Sequence, residues 1–286
     1  MQKLILLITL ALASLTANGA APTTPQYTPA DSLKVVKLIR EASELPASTN
    51  RMVYVARRLK SVPYVAKTLE NNEQERLVVN LRQLDCTTYV ETVLAIVECA
   101  RQGRLRFADF CEQLRLIRYK GGEVDYTTRL HYFSLWIDDN WRMGYVEEIG
   151  EPDPPFSARQ RLQIDYMTKH PEQYPMLNGK PTTIERIARM ENTLNGREVA
   201  YIPKDSIADT PLMRQTIHDG DIIAIVTRKA GLDTSHIGIA VWHKDGLHLL
   251  NASMVHKKVV EERRTLFDYM QRNRSQIGIR IVRPRL

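Results

Sequence analysis

Three cysteines carry the nucleophilic potential of this chain of 286 residues: Cys86, Cys99 and Cys111. Cys86 directly follows Asp85, a good helix N-cap, and apolar residues then recur at helical spacing as far as Gly103. The N-terminus of a helix offers partial positive charge and unpaired N–H groups, which favour a thiolate and can bind the oxyanion of acyl transfer. The position of Cys86, taken alone, fits a small buried cysteine without a catalytic role equally well.

The cysteine count and the neighbouring charge limit how Cys86 could work. An odd number of cysteines leaves at least one thiol free unless a pair forms between chains. Cys99 and Cys111 fall inside amphipathic segments, where packing in the core is the favoured interpretation. Asp85 opposes ionisation of the adjacent thiol by its own charge. A catalytic Cys86 therefore needs an imidazole partner within reach.

His236 has the most informative setting among the seven histidines. It lies in the run Ser235-His-Ile-Gly-Ile-Ala-Val241, whose aliphatic residues are typical of a strand. Residues two apart in a strand share a face, so His236, Gly238 and Ala240 point one way and the larger aliphatic residues point the other. The small residues would let a helix end approach the imidazole. The alternative is that His236 has no catalytic role and is either hydrogen-bonded in the core or exposed at the surface.

A third polar group should orient the imidazole, and Asn251 and His248 are the two candidates. Asp245-Gly246 is a strong hairpin signal, and if it closes the turn, Ala240 faces Asn251. Asn251 then shares the face of His236, whereas His248 does not. The same register leaves Asn251 about 13 Å along the strand from His236. A bulge or a wider loop would have to close that gap. Either could also change which side chains of the second strand share the face of His236, so both candidates stay open.

No metal ion and no cofactor is expected. The other histidines considered have no comparable setting, and no pair of them has the spacing of metal ligands on a helix. They are His131, His170, His218, His243 and His256.

The elements that must position these residues are predicted to be helical first and extended later. Helical spacing marks 32–42, 50–60, the segment after Asp85, and 107–117. The pattern over 119–210 is irregular, with a proline-rich turn at 151–155 and a helical stretch at 184–194, which indicates an elaboration inserted into a smaller core. Strand patterns follow at 221–227, 236–241, 247–252, 258–261 and 277–282. Helices first and sheet last predict the α+β class.

The net charge and the N-terminal residues limit the classes of function that this chain could have. The formal net charge is +7, but Lys and Arg are scattered among Asp and Glu, whereas nucleic-acid proteins usually cluster their cations. No nucleic-acid partner is therefore expected, and the basic balance suits an anionic envelope or a carboxylate-bearing substrate. Lys3, an apolar run and small residues up to Ala21 predict a signal peptide at 1–21. The mature chain, 22–286, is expected to be an exported monomer without a transmembrane anchor.

Five short motifs, taken in order, resemble the NlpC/P60 superfamily of papain-like cysteine hydrolases. They are Val62-Pro-Tyr-Val, Leu84-Asp-Cys-Thr-Thr-Tyr-Val-Glu91, Gly220-Asp-Ile-Ile, Ser235-His-Ile-Gly-Ile-Ala-Val241 and Asn251-Ala-Ser253. The mature chain looks closest to the DUF1460 branch, periplasmic N-acetylmuramoyl-L-alanine amidases, and 119–139 is similar to that branch's own insertion.

The resemblance implies a fold as well as a family. Its core would be papain-like, with the nucleophile helix packed on a small antiparallel sheet or half-barrel. The single catalytic domain would then comprise an N-terminal helical part (22–84), the nucleophile helix and the next helix (85–118), the insertion (119–210) and the sheet (211–286).

Carried over by position, the resemblance makes Cys86 the nucleophile, His236 the general base and then acid, and Asn251 the orienting residue. Asparagine departs from the superfamily's commoner histidine at this place and resembles the Cys-His-Asn arrangement of papain-like enzymes. The resemblance also suggests six residues that contact substrate: Tyr64, Asp85, Arg129, His131, Tyr132 and Ser235. Arg129 could pair bidentately with a peptide carboxylate, although a structural role fits it at least as well.

The resemblance further implies peptidoglycan fragments as the partner of the chain. The bond to be cleaved would be the amide between the lactyl group of N-acetylmuramic acid and the first L-alanine of the stem peptide, in small anhydro-muropeptides released during wall turnover. Two other functions stay open: a γ-D-glutamyl endopeptidase that acts further along the stem, and a non-catalytic wall-binding module that retains the fold.

Overall fold

The structure is a computed structural model that describes residues 24–286. The signal peptide expected at 1–21 lies outside the described residues. Among the helices described, none combines the length and the apolar character needed to cross a membrane.

Residues 24–286 form nine α-helices. Those of the N-terminal half are α1 (Pro29–Ser43), α2 (Arg51–Arg58), α3 (Cys86–Arg101), α4 (Phe107–Arg118) and α5 (Phe133–Arg142). They are followed by α6 (Tyr166–Lys169), α7 (Pro181–Asn192), α8 (Pro211–Thr216) and α9 (Leu266–Gln271). The four helices predicted before residue 119 are confirmed. Three of them begin where a side chain accepts the N–H group three residues on, from Thr28, Asn50 and Asp85.

The strands of residues 24–286 build one eight-stranded sheet. They are β1 (Val146–Ile149), β2 (Ala158–Arg161), β3 (Glu198–Pro203), β4 (Ile222–Thr227), β5 (Thr234–His243), β6 (Gly246–Ser253), β7 (Lys258–Glu261) and β8 (Gln276–Pro284). The order is β2-β3-β8-β4-β5-β6-β7, β1 also pairs with β8, and these strand pairings are antiparallel. The five predicted strands correspond to β4 to β8, and the α+β class is confirmed.

Helix α3 is the central element of the core. Every residue from Thr88 to Ala100 is buried, because α1, α2 and α4 cover one side of the helix and the sheet covers the other. The helix ends in a left-handed turn at Gly103, whose φ is +66°, and Arg104 N–H donates to Cys99 O at 2.9 Å. A helix fixed along its whole length holds its first residue, Cys86, in one place.

Both faces of the sheet are apolar, and β5 contributes to both. Ile237, Ile239 and Val241 pack against α3, as their alternation predicts. Ala240 lies on the opposite face, in a second cluster with Leu249 of β6 and with side chains of α9. His236 therefore lies near the start of a strand that is held from both sides.

The segment 119–210 is more regular than its sequence pattern indicates. It contains α5, α6, α7 and three short strands, and it forms an apolar cluster of its own around Tyr132, Ile164 and Leu177. Two of its strands, β1 and β3, pair with β8 and so extend the main sheet. Strands of four to six residues that pair with a distant partner leave little local pattern, which explains why the sequence did not predict them.

Candidate active site

Cys86 is the first residue of α3, and a capping box fixes the turn in which it lies. Thr88 N–H donates to Asp85 Oδ1 at 2.8 Å, and Asp85 N–H donates to Thr88 Oγ1 at 2.9 Å. Tyr89 N–H then begins the helical ladder by donating to Asp85 O at 3.0 Å. The N–H groups of Cys86 and Thr87 precede that ladder, at the positive end of the helix dipole, where an oxyanion could bind. The carboxylate of Asp85 is used as a cap.

The thiol of Cys86 is protonated at neutral pH. Burial raises its pKa to about 11, the charge of Asp85 adds to the rise, and a backbone hydrogen bond from Ile237 opposes it. Burial raises the pKa of Cys99 and of Cys111 to about 12. All three cysteines are free, but Cys86 is half-buried whereas the other two are buried. Cys86 is thus the most accessible thiol of the three.

His236 lines the same cavity as Cys86, with a volume of about 190 Å³. A β-bulge precedes the histidine, since Ile225 pairs with His236 whereas Val226 pairs with Thr234, so that Ser235 is the extra residue of β5. Bulges redirect side chains and are frequent beside active sites. Burial lowers the pKa of His236, and its imidazole is therefore neutral at neutral pH and able to accept a proton.

Asn251 is hydrogen-bonded to the imidazole of His236. His236 Nε2–H donates to Asn251 Oδ1 at 2.9 Å, and Asn251 Nδ2 donates to Glu262 Oε1 at 3.2 Å. Because a carboxylate only accepts, Glu262 fixes which end of the buried amide faces His236. The tautomer with hydrogen on Nε2 leaves the lone pair on His236 Nδ1, the nitrogen that can serve the thiol.

The hairpin between β5 and β6 closes differently from the sequence expectation. The turn forms at Lys244-Asp245, and Ala240 pairs with Leu249 rather than with Asn251. Gly246 takes a φ of +137° at the first position of β6 instead of lying within the loop. The expected register was therefore wrong by two residues, an even number, so the same side chains still share a face.

This register removes the gap expected between Asn251 and His236. Continued toward the start of β5, it brings Asn251 beside Gly238, two residues from His236 instead of four. A Cβ atom built on Gly238 would lie 3.0 Å from Asn251 Cβ and 2.8 Å from side-chain atoms of Leu249. The absence of a side chain at 238 is therefore what allows the asparagine to pack across the strand.

His248, the other candidate for the third position, takes part in a different group. Its Nδ1–H donates to Glu262 O at 2.8 Å, and its Nε2 lies 3.0 Å from Asp245 Oδ1. One ligand atom from each of His243, Asp245 and His248 lies within 4.8 Å of the others, a spacing that could hold a metal ion. Both nitrogens of His248 already have partners, and its ring stacks on His243 at 4.2 Å, which fits a hydrogen-bonded turn.

Three residues expected to contact substrate line the cavity with Cys86: His131, Tyr132 and Ser235. His131 Nε2–H donates to Tyr126 O at 2.7 Å, and burial lowers the pKa of His131 to about 3, so that the ring is neutral. The hydroxyl of Tyr132 donates to Glu191 Oε1 at 2.6 Å. These fixed rings give the cavity a rigid wall.

The other three expected contact residues have different settings: Asp85 is the N-cap of α3, and the structure separates Tyr64 from Arg129. Tyr64 forms a bridge with Leu84, two residues before Cys86, and burial with the charges of Cys86 and Asp85 raises the pKa of its phenol to about 12. Arg129 is buried outside the cavity, in ion pairs with Glu70 and, at 3.3 Å, with Glu75. The guanidinium is committed to holding these segments together, which favours the structural role over a contact with a substrate carboxylate.

Two neighbours of the site carried no sequence signal, Glu262 and Tyr269. Glu262 follows β7 and is buried between Asn251 and His256, whose Nε2 lies 3.1 Å from Glu262 Oε2. Tyr269 of α9 places its ring 6.5 Å from that of His236. Burial, with the charges of Glu262 and Cys86, raises the pKa of Tyr269 to about 12. Both residues reach the site through strand and helix packing, which local patterns do not predict.

Comparison with known families and curated proteins gives one match. A family model described as AmiA-like, N-acetylmuramoyl-L-alanine amidase-like, matches residues 54–279. This range includes Cys86, His236 and Asn251. No curated protein matches the sequence.

Several solved structures are similar to this chain over most of its length. An N-acetylmuramoyl-L-alanine amidase from Bacteroides uniformis is 36% identical, with a TM-score of 0.76, and the match covers 86% of this chain and 100% of that chain. A Bacteroides fragilis protein provisionally described as a xylanase is 40% identical, with a TM-score of 0.74 and coverage of 80% and 98%. A DUF1460 protein from Legionella pneumophila is 22% identical, with a TM-score of 0.64 and coverage of 88% and 94%, a likeness of fold alone.

Proposed function

The chain belongs to the AmiA-like, N-acetylmuramoyl-L-alanine amidase-like family, and from that membership we propose that it is a cysteine amidase of peptidoglycan fragments. The bond hydrolysed is the amide between the lactyl group of N-acetylmuramic acid and the first L-alanine of the stem peptide. The observation that carries the proposal is a single cavity lined by Cys86, at the start of α3, and by His236, which Asn251 orients. The activity named for the Bacteroides uniformis neighbour agrees with it.

The reaction follows from the order of these groups. His236 Nδ1 takes the thiol proton while Cys86 Sγ attacks the carbonyl carbon, and the carbonyl oxygen gains the charge. The N–H groups of Cys86 and Thr87 donate to that oxyanion. The imidazolium then gives its proton to the amide nitrogen, the C–N bond breaks, and the peptide leaves with a free amine. Water, deprotonated by His236, cleaves the thioester and restores the thiol.

The resting pair is proposed to be neutral rather than a thiolate and an imidazolium. Burial raises the pKa of Cys86 to about 11 and lowers the pKa of His236, so both shifts disfavour charge separation in the free enzyme. The proton then moves as the sulfur attacks, and the charge that develops on the oxyanion meets the helix N-terminus. General base catalysis by His236 is therefore the role assigned to the histidine.

The proposal includes the papain-like NlpC/P60 type for the core and an exported setting. A nucleophile on the first turn of α3, a histidine on β5 and an asparagine on β6 follow the Cys-His-Asn order of papain-like enzymes. The apolar run after Lys3 supports export, which would bring the enzyme to its substrate. Anhydro-muropeptides released during wall turnover are the proposed substrates.

The provisional xylanase description of the Bacteroides fragilis neighbour is not carried over. A glycosidase needs two carboxyl groups on either side of the scissile bond. Among the described residues that line the cavity, Asp233 supplies the single carboxylate. Its oxygens accept from Ser134 N–H at 2.6 Å and from Thr234 N–H at 2.7 Å, so that it is already occupied.

Mass spectrometry of digested muropeptides tests the proposal. The amidase releases a sugar with a free lactyl carboxylate and a peptide that begins with L-alanine. Release of a sugar that still carries L-alanyl-D-glutamate would instead identify a γ-D-glutamyl endopeptidase. Wild-type protein that binds muropeptides and turns over none of them would identify a wall-binding module.

A further inference from the structure

A second and larger cavity, of about 790 Å³, opens among β7, α9 and the start of β8. Besides Lys60, four exposed cations lie along it, two of them in the link between β7 and α9. We name this cavity the basic cleft and define it by Lys258, Arg263, Arg264 and Arg272 together with Tyr269 and Gln276.

The positive charge of the basic cleft is compensated only in part from within the fold. None of its four cations forms an ion pair with any residue in the range 24–286. Two acidic residues also line the cleft: Glu261 pairs with Arg57 at 2.7 Å and with Lys60, a further lining cation, at 3.7 Å, and Glu262 contacts His256 and Asn251. Clustered unpaired cations around a cavity attract an anion.

A buried acceptor in the same cavity points to a second kind of contact. Gln276 is 5% exposed, and its Oε1 is buried without a hydrogen-bond partner among the residues described. Buried polar atoms are almost always hydrogen-bonded, and an unsatisfied one is costly. Gln276 Oε1 therefore suits a ligand that brings an N–H or O–H donor as well as an anionic group.

The basic cleft adjoins the candidate active site. Tyr269, which lines the cleft, lies 6.5 Å from the ring of His236, and the charge of Cys86 contributes to its raised pKa. His236 and Cys86 themselves line the smaller cavity, whose other side chains include Leu130, Phe133 and Tyr174. The cavity that holds the nucleophile thus has a second cavity near it, and the second one carries the excess of positive charge.

We propose that the basic cleft binds the carboxylate-bearing peptide half of the substrate, and that the saccharide half lies in the smaller cavity. This assignment rests on the proposed function, because an amide between a sugar acid and a peptide has one half of each kind. The lactyl carboxyl is neutral while it is part of the amide, whereas the peptide carries free carboxylates. Its backbone also supplies the N–H donor that Gln276 Oε1 lacks.

Direct binding to the Cys86→Ala protein tests the cleft without turnover. The probe is a fluorescent L-alanyl-γ-D-glutamyl peptide with free carboxylates, compared with the same peptide whose carboxyl groups are carboxamides. In the double variant Arg263→Glu/Arg264→Glu, the Kd of the acidic peptide should rise at least about tenfold, and the Kd of the carboxamide should change by less than about twofold. The double variant Arg142→Glu/Arg161→Glu makes the same change in net charge elsewhere on the surface and should bind the acidic peptide as the parent does.

Three results would overturn this assignment: equal affinity of the cleft variant for the acidic peptide, equal affinity of the parent for the carboxamide, or tighter binding of polyphosphate than of the peptide. The last would mark the cleft as a site for phosphate-bearing ligands. Failure of the proposed function has a different signature. Wild-type protein would then release no lactyl sugar from muropeptides, whatever the peptide-binding experiment shows.

Discussion

His236 Nε2 and Asn251 Oδ1 lie 2.9 Å apart on neighbouring strands of one hairpin. The turn at Lys244-Asp245 sets the register of that hairpin and therefore decides which residue of β6 reaches the histidine. Glu262 completes the arrangement, because its carboxylate holds the amide of Asn251 the right way round. The geometry of the site thus depends on a turn that lies outside the cavity.

Removing the side-chain amide of Asn251 should lower kcat more than removing the imidazole of His248. We expect Asn251→Ala to lower kcat about 10²-fold, since His236 loses the acceptor that fixes its tautomer and orientation. His248→Ala should leave kcat within about threefold, because His248 contacts Glu262 O and Asp245 and not His236. Steady-state kinetics of both variants on one muropeptide measure this. A larger loss of kcat in His248→Ala would reverse the assignment.

Two substitutions of Glu262, to Gln and to Ala, should distinguish the effect of its charge from the effect of its hydrogen bond with Asn251. The negative charge of Glu262 raises the pKa of His236 against the lowering by burial. Glu262→Gln removes that charge but keeps an oxygen acceptor for Asn251, so the acid limb of kcat/KM should move to lower pH with kcat largely retained. Glu262→Ala removes the acceptor as well, and kcat should fall about tenfold or more.

The measurement for Glu262 is the pH profile of kcat/KM for wild type and both variants. The wild-type acid limb should lie below pH 6.5, the ordinary pKa of histidine, because burial lowers the pKa of His236. A shift of the limb to higher pH in Glu262→Gln would contradict this account of the charge.

Alkylation should report the ionisation and the exposure of the thiols. We expect iodoacetamide to modify Cys86 before Cys99 and Cys111, which are buried. Because the pKa of Cys86 is raised to about 11, its alkylation rate should climb about tenfold per pH unit from pH 7 to pH 10. Peptide mapping after timed quenching measures both. Earlier modification of Cys111, or a rate that is flat across neutral pH, would count against a neutral resting pair.

A methyl group at Gly238 should disturb the site across the strands. Gly238→Ala would bring Cβ to 2.8 Å from Leu249 and 3.0 Å from Asn251, so one of these side chains must move. We expect a loss of about 1–3 kcal/mol in the free energy of unfolding and a fall in kcat. Gly150→Ala is the matched control, since its Cβ would meet Ala200 at an ordinary 3.6 Å. Equal kcat and stability in both variants would show that the close packing at 238 has no role.

The parts of this fold that the sequence predicted are those with local signals. The periodicity of α1 to α4 and the alternation of β4 to β8 are sustained patterns, and Asp85 marks the start of α3 by its capping chemistry. Cys86 and His236 became candidates for nucleophile and base for the same reason, because they lie at the ends of predictable elements.

What the sequence did not predict depends on contacts between distant residues. The sequence left both a substrate contact and a structural role open for Arg129, because its buried partners, Glu70 and Glu75, lie more than 50 residues earlier. The hairpin turn was misplaced because Lys244-Asp245 competes with the stronger local signal of Asp245-Gly246. Glu262 reaches Asn251 only once β6 and β7 are paired, a contact that no local pattern encodes.

The central claim is that the thiol of Cys86 cleaves the amide between the lactyl group and L-alanine. The most direct measurement is the rate at which free lactyl sugar appears from one muropeptide with wild-type, Cys86→Ala and Cys111→Ala proteins. We predict that Cys86→Ala lowers the rate at least about 10⁴-fold without changing the circular dichroism spectrum, and that Cys111→Ala stays within about threefold of wild type. Turnover by Cys86→Ala within tenfold of the wild-type rate would contradict the account.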